Sequence, residues 1–566
     1  MPALYPHIIP EIDKWPIYKL NQKRASFVRS ITERVESHFS EYNVKELEEI
    51  LSKTIFQEIK RCKENPWKVD PSNEIKYWKG LRKELNQIVS ESDDIEERRK
   101  LFNKISNRYT EEIVGNFKKN TFLRARKVLS FIFKRLLNSA AGKNHTRLWG
   151  SQFQLYERLV VKGPVEKVRE LSKKGTVVMV PTHFSNLDSI LIGYAVDTIM
   201  GMPAFSYGAG LNLYDLELVA YFINRLGAYK VDRRKKNPIY LDTLKTMSTE
   251  TIQSGVNTLF FPGGTRSRSG ELEQNLKLGL LGTVVKAQRA RLQEKKDEKI
   301  FVVPLIISYH FVLESKYLIE QHLKKTGQEQ YLGSKDAAKS YKNILKFLWD
   351  LFSQGSEIYL TLGEPMDVVG NHVDENGISY DQKNREVSID EYFISDGNLN
   401  KSQQREEVYT KLLSKKIVES YHNYNTVLSS HVIAYTLYEI ISKRYPDESV
   451  FTLVNKDPDS EIVKYDAFIE RIEASQSVLK NMSKEMKLNI TDVIKGNPHS
   501  LVSTGIKNMC VYHTKKPVQK NENGDVYTED LKLLYYYRNR LDHYDLTEKV
   551  DKLLKTKKEA GEFYHI

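Results

Sequence analysis

His183 and Asp188 are the residues whose types and spacing most suggest catalysis. They stand five residues apart in TVVMVPTHFSNLDSILIG, residues 176–193. The β-branched run 176–180 predicts a buried strand of a parallel sheet, and the sequence from Ser185 onward predicts the start of a helix. The imidazole is then expected at the carboxyl end of a strand, where open α/β sheets bind their ligands. Asp188 can hold one ring nitrogen while the other accepts a proton from an alcohol, which is general-base chemistry.

The same residues allow a purely structural interpretation. Ser185 and Asp188 form a Ser-x-x-Asp capping pair for the predicted helix. A histidine beside such a helix start needs no catalytic role, and a short motif alone does not decide between the two interpretations.

Two further clusters carry groups that bind anions. Arg233, Arg234 and two lysines follow a predicted short strand at 228–231, and guanidinium groups suit bidentate phosphate contacts. In LFFPGGTRSRSGELE, residues 259–273, a second predicted strand ends in a Pro-Gly-Gly turn. Paired glycines allow a tight turn whose N–H groups converge on an anion, and the arginines and hydroxyls add donors. The composition predicts an oxyanion or phosphate cradle, although a basic run taken alone is typical of a solvated loop.

Several catalytic and binding motifs are missing from the chain, which argues against other kinds of chemistry. The glycine cluster lacks the Gly-Lys-Ser/Thr ending of a P-loop, and the chain has no Gly-x-Ser-x-Gly nucleophile elbow. No Cys/His cluster has the spacing of a zinc site, so no metal is expected. A fourth segment, VVPLIIS at 302–308, is an apolar strand without a titratable group and predicts core.

Taken in order, these four segments resemble the motifs of the glycerolipid acyltransferase superfamily. The first motif of that family is His-x4-Asp, which His183 and Asp188 match. The second, third and fourth motifs match at Gly227, Val231 and Arg233, at Phe261, Pro262, Gly264, Thr265, Arg266 and Ser267, and at Val303, Pro304 and Leu305. The resemblance covers about residues 150–370, and four ordered motifs are far more specific than one.

The resemblance implies acyl transfer without a covalent enzyme intermediate. His183 would act as the general base, and Asp188 would fix its tautomer. The acceptor's phosphate is expected to bind to Arg233, Gly264, Thr265, Arg266 and Ser267. The co-substrate would be a thioester, either acyl-CoA or acyl carrier protein, with no cofactor required.

The chain departs from the family's third motif at one position. Gly263 stands where the family commonly has a glutamate. Either another acidic group substitutes for it, or the glutamate's contribution is dispensable here.

The branch within the family follows from two further resemblances. The Arg-Ser-Arg-Ser-Gly run at 266–270 and the helical sequence at 401–441 are similar to the branch that acylates glycerol-3-phosphate or dihydroxyacetone phosphate. Acylation of lysophosphatidate is the nearest alternative. A catalytically inactive, membrane-associated scaffold is another, and the missing glutamate is its best support.

The overall composition indicates which partners and which cellular compartment suit the protein. The formal net charge of +13 suits an anionic membrane surface or a phosphorylated substrate, and no recognition motif supports nucleic-acid binding. The only cysteines, Cys62 and Cys510, fit a reducing compartment. The chain shows no signal peptide and no apolar run of roughly 18 residues, so we expect a cytoplasmic protein that does not cross a membrane.

We expect an α/β fold, with a central, mainly parallel sheet and flanking helices between helical N-terminal and C-terminal regions. The predicted units are a helical region at 1–145, a catalytic domain at 146–370, a loop or linker at 371–400 and a helical domain at 401–566. Within the first unit, residues 121–140 predict a basic amphipathic helix. That helix would lie on the cytoplasmic face of an anionic membrane or pack on the next domain.

Overall fold

The computed structural model describes residues 4–140, 158–326 and 357–559, apart from residues 92, 212–213, 215–216, 396–397, 400–401, 459–460 and 511. The N-terminal region is helical, as its 3.6-residue apolar periodicity predicts. Its helices are α1 (Pro16–Gln22), α2 (Arg24–His38), α3 (Val44–Glu64), α4 (Glu74–Glu91), α5 (Ile95–Ile113) and α6 (Lys119–Ala140).

A seven-stranded sheet forms the centre of the molecule. Its strands are β1 (Leu159–Lys162), β2 (Gly175–Pro181), β3 (Ser206–Gly210), β4 (Ala228–Val231), β5 (Thr258–Leu259), β6 (Lys299–Tyr309) and β7 (Ile358–Leu362). The helices between them are α7 (Val165–Lys174), α8 (Asp188–Thr198), α9 (Glu217–Ile223), α10 (Pro238–Gln253), α11 (Leu278–Gln293) and α12 (Ser315–Thr326).

The strand order is β1-β7-β6-β2-β5-β3-β4. From β6 to β4 all neighbours are parallel, whereas β7 pairs antiparallel with β6 and parallel with β1. The predicted fold class, a mainly parallel sheet with flanking helices, is confirmed. Because β2, β4, β5 and β6 run in the same direction, the loops after them emerge at one edge of the sheet.

The C-terminal region is mostly helical. Its helices are α13 (Gln403–Asn423), α14 (Ser429–Ser442), α15 (Val450–Val454), α16 (Tyr465–Glu485), α17 (Asp492–Lys495), α18 (Pro498–Met509), α19 (Leu531–Arg538) and α20 (Leu546–Glu559). A 3-10 helix, Asn539–Tyr544, joins α19 to α20, and two-residue strands pair at Thr426–Val427 with Asn489–Ile490 and at Gln519–Lys520 with Val526–Tyr527.

The two largest hydrophobic cores among the described residues organise these elements. The larger is continuous from β2 and β6 into α13, α14 and α19, so the C-terminal helices share one core with the sheet. Tyr421 donates to the carbonyl of Val180, and Arg540 donates to that of Ile307, which ties this region to the strands beside His183. The second core joins α2 to α5 with α10, and it fixes the N-terminal helices against the catalytic region.

Some local predictions differ from the structure. Strands β1 and β3 were not predicted, because β1 is short and β3, SYGAG, contains two glycines. The interval predicted as a loop or linker, 371–400, contains the two-residue strands His372–Val373, Ser379–Tyr380, Glu386–Val387, Ile394–Ser395 and Asn398–Leu399. The first three form a small antiparallel sheet. The predicted boundaries at 145–146 and 400–401 lie outside the described residues.

Helix α6 contains the predicted amphipathic segment. Its inner side packs on the catalytic region, since Arg126 pairs with Asp197 at 2.5 Å and Ser130 lies 3.3 Å from the Tyr194 hydroxyl. On its outer side the side chain of Phe131 is 61% exposed. No helix among the described residues has both the length and the apolar character to span a bilayer.

Candidate active site

The loops after three parallel strands bring predicted residues to one cleft. His183 follows β2, Arg233 follows β4, and Thr265 and Arg266 follow β5. The cleft has a volume of about 350 Å³. Its lining includes Trp67, His183, Gly208, Arg233, Phe261, Thr265, Arg266, Arg268, Tyr317 and Gln321.

His183 and Asp188 form the hydrogen-bonded pair that their spacing predicts. The imidazole Nδ1 donates to Asp188 Oδ2 at 2.8 Å. The same carboxylate oxygen accepts the backbone N–H groups of Phe184 at 2.7 Å and Ser185 at 2.9 Å, and Oδ1 accepts the Tyr309 hydroxyl at 2.6 Å. The fully buried carboxylate is therefore fixed by four donors, and Nε2 of His183 is left for a ligand in the cleft.

The surroundings of His183 favour its neutral form. Burial is the largest effect and lowers the pKa of the imidazole, while the Asp188 carboxylate opposes this. The positive charges of Arg266 and Arg233 lower the pKa further. A neutral imidazole at neutral pH is the form that can accept a proton. The ring also stacks on Phe261, with centroids 4.0 Å apart, which restricts its orientation.

Four arginines line the cleft: Arg233, Arg234, Arg266 and Arg268. Arg266 forms an ion pair with the buried Glu314 at 3.1 Å. Arg233 and Arg268 have no hydrogen bond or ion pair to any described residue, and desolvation followed by the like charges of Arg266 and Arg268 lowers the pKa of Arg233. Mutual repulsion of guanidinium groups is relieved when an anion binds between them. The cleft is therefore suited to a phosphate.

The cations that follow Arg233 in the sequence are held by acidic residues of the N-terminal region. Arg234 donates to both carboxylate oxygens of Asp70, at 2.9 and 2.6 Å, and also to Asp232. The buried Lys235 pairs with Glu112 at 2.5 Å. Because Asp70 and Glu112 belong to the N-terminal helical region, these two cations hold that region against the strand that delivers Arg233.

Gly264 and Ser267 shape the loop after β5. Gly264 has a φ of +78°, a conformation that favours glycine, and its N–H donates to the carbonyl of Phe261 at 3.0 Å. The Ser267 hydroxyl donates to the Glu271 carbonyl at 2.8 Å, and its N–H donates to the His183 carbonyl at 2.7 Å. Ser267 thus attaches the loop to the main chain of His183, whereas the exposed Thr265 faces the cleft.

The proposed capping pair is only half formed. Helix α8 begins at Asp188, whose carboxylate accepts the Ser185 N–H, but the Ser185 hydroxyl donates to Glu314 at 2.8 Å. Glu314 also accepts the N–H of Asn186 at 3.0 Å. This buried glutamate therefore links the loop that carries His183 to Arg266.

Sequence reasoning missed Glu314, Tyr309 and Glu273. Tyr309 is the last residue of β6, and Glu314 lies five residues further on. Their position at the end of an apolar strand was a signal that could have identified both. Glu273 is the last residue of the third cluster, ten residues beyond Gly263, and nothing in its spacing assigned it a contact with His183.

Comparison with known proteins places this geometry in a family. Residues 163–308 match the family model described as Acyltransferase. A glycerol-3-phosphate acyltransferase of Aeromonas hydrophila is 29% identical over 231 residues, which cover 40% of this chain and 26% of that protein. Two others, from Pseudoalteromonas translucida and Histophilus somni, are each 28% identical over 39% and 40% of this chain, and over 25% and 26% of their own lengths.

Residues 163–308 therefore form an acyltransferase domain. This confirms the family predicted from the four motifs, and the matched segment runs from the turn before α7 to the end of β6. The chain spans about a quarter of the length of these curated relatives. Most residues that line the cleft with His183 lie within the acyltransferase domain, while Trp67 reaches it from the N-terminal helical region and Tyr317 and Gln321 reach it from α12.

Proposed function

We propose that this protein transfers a fatty acyl group from a thioester donor to a hydroxyl of glycerol-3-phosphate, with His183 as the general base. The observation that carries the proposal is the imidazole held by Asp188 at 2.8 Å in a cleft that four arginines also line. A hydroxyl nucleophile needs the base and its phosphate needs the arginines. The matching relatives are named for this acceptor.

The reaction proceeds in two proton transfers. His183 Nε2 takes the proton of the acceptor hydroxyl as its oxygen forms a bond to the thioester carbonyl carbon. The tetrahedral intermediate then expels the thiolate, which takes the proton back from the imidazolium and leaves as a thiol. Asp188 stabilises the imidazolium between the two transfers. Arg233, Arg266 and Arg268 hold the phosphate, and so orient the hydroxyl toward Nε2.

A second basic cavity supports a donor that carries phosphate groups. It has a volume of about 720 Å³, and it shares Arg233 and Arg234 with the catalytic cleft. Lys53, Lys60 and Lys236 line it, with one acidic residue, Glu64, and with Phe56, whose side chain is 64% exposed. Both acyl-CoA and acyl carrier protein present a phosphorylated pantetheine arm, and we propose that this cavity binds those phosphates.

This donor proposal has its own test. Lys53→Ala combined with Lys236→Ala should raise KM for palmitoyl-CoA and leave KM for glycerol-3-phosphate unchanged. Lys79→Ala, an equally exposed lysine on α4, is the control. Equal donor KM values for the double variant and the control would contradict the assignment, and the same series with acyl carrier protein identifies the preferred donor.

We also propose that the outer side of α6 binds an anionic membrane surface from the cytoplasmic side. Val128 and Phe131 are 47% and 61% exposed there, beside the exposed Arg124 and Lys127. Exposed apolar side chains among cations are typical of helices at a charged lipid interface. Phe131→Asp should abolish co-sedimentation with anionic vesicles, and unchanged co-sedimentation would contradict the proposal.

The acceptor assay tests the proposed activity. Labelled palmitoyl-CoA is supplied with glycerol-3-phosphate or with lysophosphatidate, and His183→Ala serves as the blank. We expect product from glycerol-3-phosphate and none above the blank from lysophosphatidate. The reverse pattern would assign the second acylation step, and no product from either acceptor with either donor would support an inactive scaffold.

A further inference from the structure

A third carboxylate, that of Glu273, lies directly against the main chain of His183. Glu273 Oε1 accepts the His183 N–H at 2.8 Å. The His183 carbonyl accepts the N–H of Ser267 at 2.7 Å. Both polar main-chain groups of the histidine are therefore bound by the segment that follows β5, although that segment lies some eighty residues further along the chain.

The side chain of Glu273 uses space that Gly263 leaves open. A Cβ placed on Gly263 would lie 2.9 Å from Glu273 Cγ and 3.2 Å from Oε1, too close for an undisturbed contact. Gly263 does not have a positive φ, so its backbone conformation does not require glycine. The missing side chain at this position is thus explained by the room that Glu273 needs.

We infer that Glu273 is a positioning residue of the acyltransferase site, which fixes the main chain of His183 by entering the space beside Gly263. This answers the question raised by the third motif: an acidic group reaches the turn from ten residues further along the chain. The catalytic consequence rests on the proposed function, but the contact between Glu273, Gly263 and His183 does not.

The environment of the carboxylate agrees with a role as an acceptor. Oε2 is buried and has no hydrogen-bond partner among the described residues. Burial raises the pKa of Glu273 to about 7, although the His183 N–H opposes this. The charged groups that face it are Asp188, which raises its pKa, and Arg540, which lowers it. A protonated carboxyl still accepts through its carbonyl oxygen, so the bond to His183 does not require a negative charge.

The first test separates the hydrogen bond from the charge. In Glu273→Gln the amide oxygen can accept the same N–H, whereas Glu273→Ala leaves it without a partner. We expect Glu273→Ala to lower kcat by roughly tenfold to a hundredfold with KM for glycerol-3-phosphate unchanged, because the base is misplaced while the phosphate site is intact. Glu273→Gln should retain most of kcat. Equal losses in both variants, or a loss expressed in KM, would overturn the inference.

The second test detects the contact between Gly263 and Glu273 through stability, without an activity assay. Gly263→Ala should lower the melting temperature of the wild-type protein, because the added methyl group meets Glu273. In a Glu273→Ala background the same substitution should have little effect. Additive changes in melting temperature would show that the two residues do not interact. This cycle remains decisive if the protein has no acyl transfer activity, so failure of the inference and failure of the proposed function are distinguishable.

Discussion

Histidines in two regions of this protein differ in their surroundings. His183 pairs with a carboxylate at the edge of a cleft. His310 follows β6, His431 lies on α14 and His513 follows α18, and their ring nitrogens contact the Ser430 hydroxyl, the Tyr309 carbonyl and the Tyr537 hydroxyl, respectively. Those three contacts involve no carboxylate.

Burial alone does not make a histidine a base. It lowers the pKa of His310 and of His513 to about 3, and that of His431 well below its usual value. It lowers the pKa of His183 too, but Asp188 opposes the shift and can stabilise the protonated ring. A carboxylate partner and an open face toward the cleft, rather than depth in the protein, therefore distinguish the candidate base from the structural histidines.

The largest effect short of removing the imidazole is expected from its carboxylate partner. Asp188→Asn removes the negative charge that stabilises the imidazolium, so kcat should fall by roughly 10²–10⁴-fold. Steady-state rates with glycerol-3-phosphate measure this, and the melting temperature reports any loss of the bonds to Phe184, Ser185 and Tyr309. A kcat close to the wild-type value would show that the Asp188 carboxylate does not distinguish His183 from the buried histidines.

A smaller effect should separate two adjacent arginines. Arg233→Ala should raise KM for glycerol-3-phosphate by about tenfold to a hundredfold, since a hydrogen bond to a charged group contributes about 1.5–3 kcal/mol. Arg234→Ala is the matched control, because its guanidinium is bound by Asp70 and Asp232. It should lower the melting temperature and leave KM nearly unchanged. The same KM change in both variants would contradict the assignment of Arg233 to phosphate binding and of Arg234 to a structural contact.

The pH dependence of kcat/KM reports the pKa of the catalytic base. The neutral imidazole is the active form, so kcat/KM should fall as the pH decreases through the pKa of His183, which lies below its usual 6.5. Arg233 is one of the charges that lower this pKa, and its removal should raise it. Arg233→Ala should therefore move the acid limb to higher pH. A shift to lower pH, or none, would show that another group controls the limb.

The sequence predicted the local features of the site better than its long-range ones. The buried strand before His183 follows from its β-branched run, and the contact of His183 with Asp188 follows from their spacing. The contact of Glu273 with His183 joins residues ninety positions apart, so no local periodicity encodes it. The Ser185 hydroxyl likewise binds Glu314 instead of capping the helix, because a buried acceptor is close only in the folded chain.

The most direct test of the account compares His183→Gln with His310→Gln in one assay of acyl transfer to glycerol-3-phosphate. Both substitutions replace a histidine of low pKa with an uncharged side chain, but only the first touches the cleft. The account predicts a loss of roughly 10²–10⁴-fold in kcat for His183→Gln, and a near-normal kcat with a lower melting temperature for His310→Gln. Wild-type turnover by His183→Gln, or an equal loss in both variants, would contradict it.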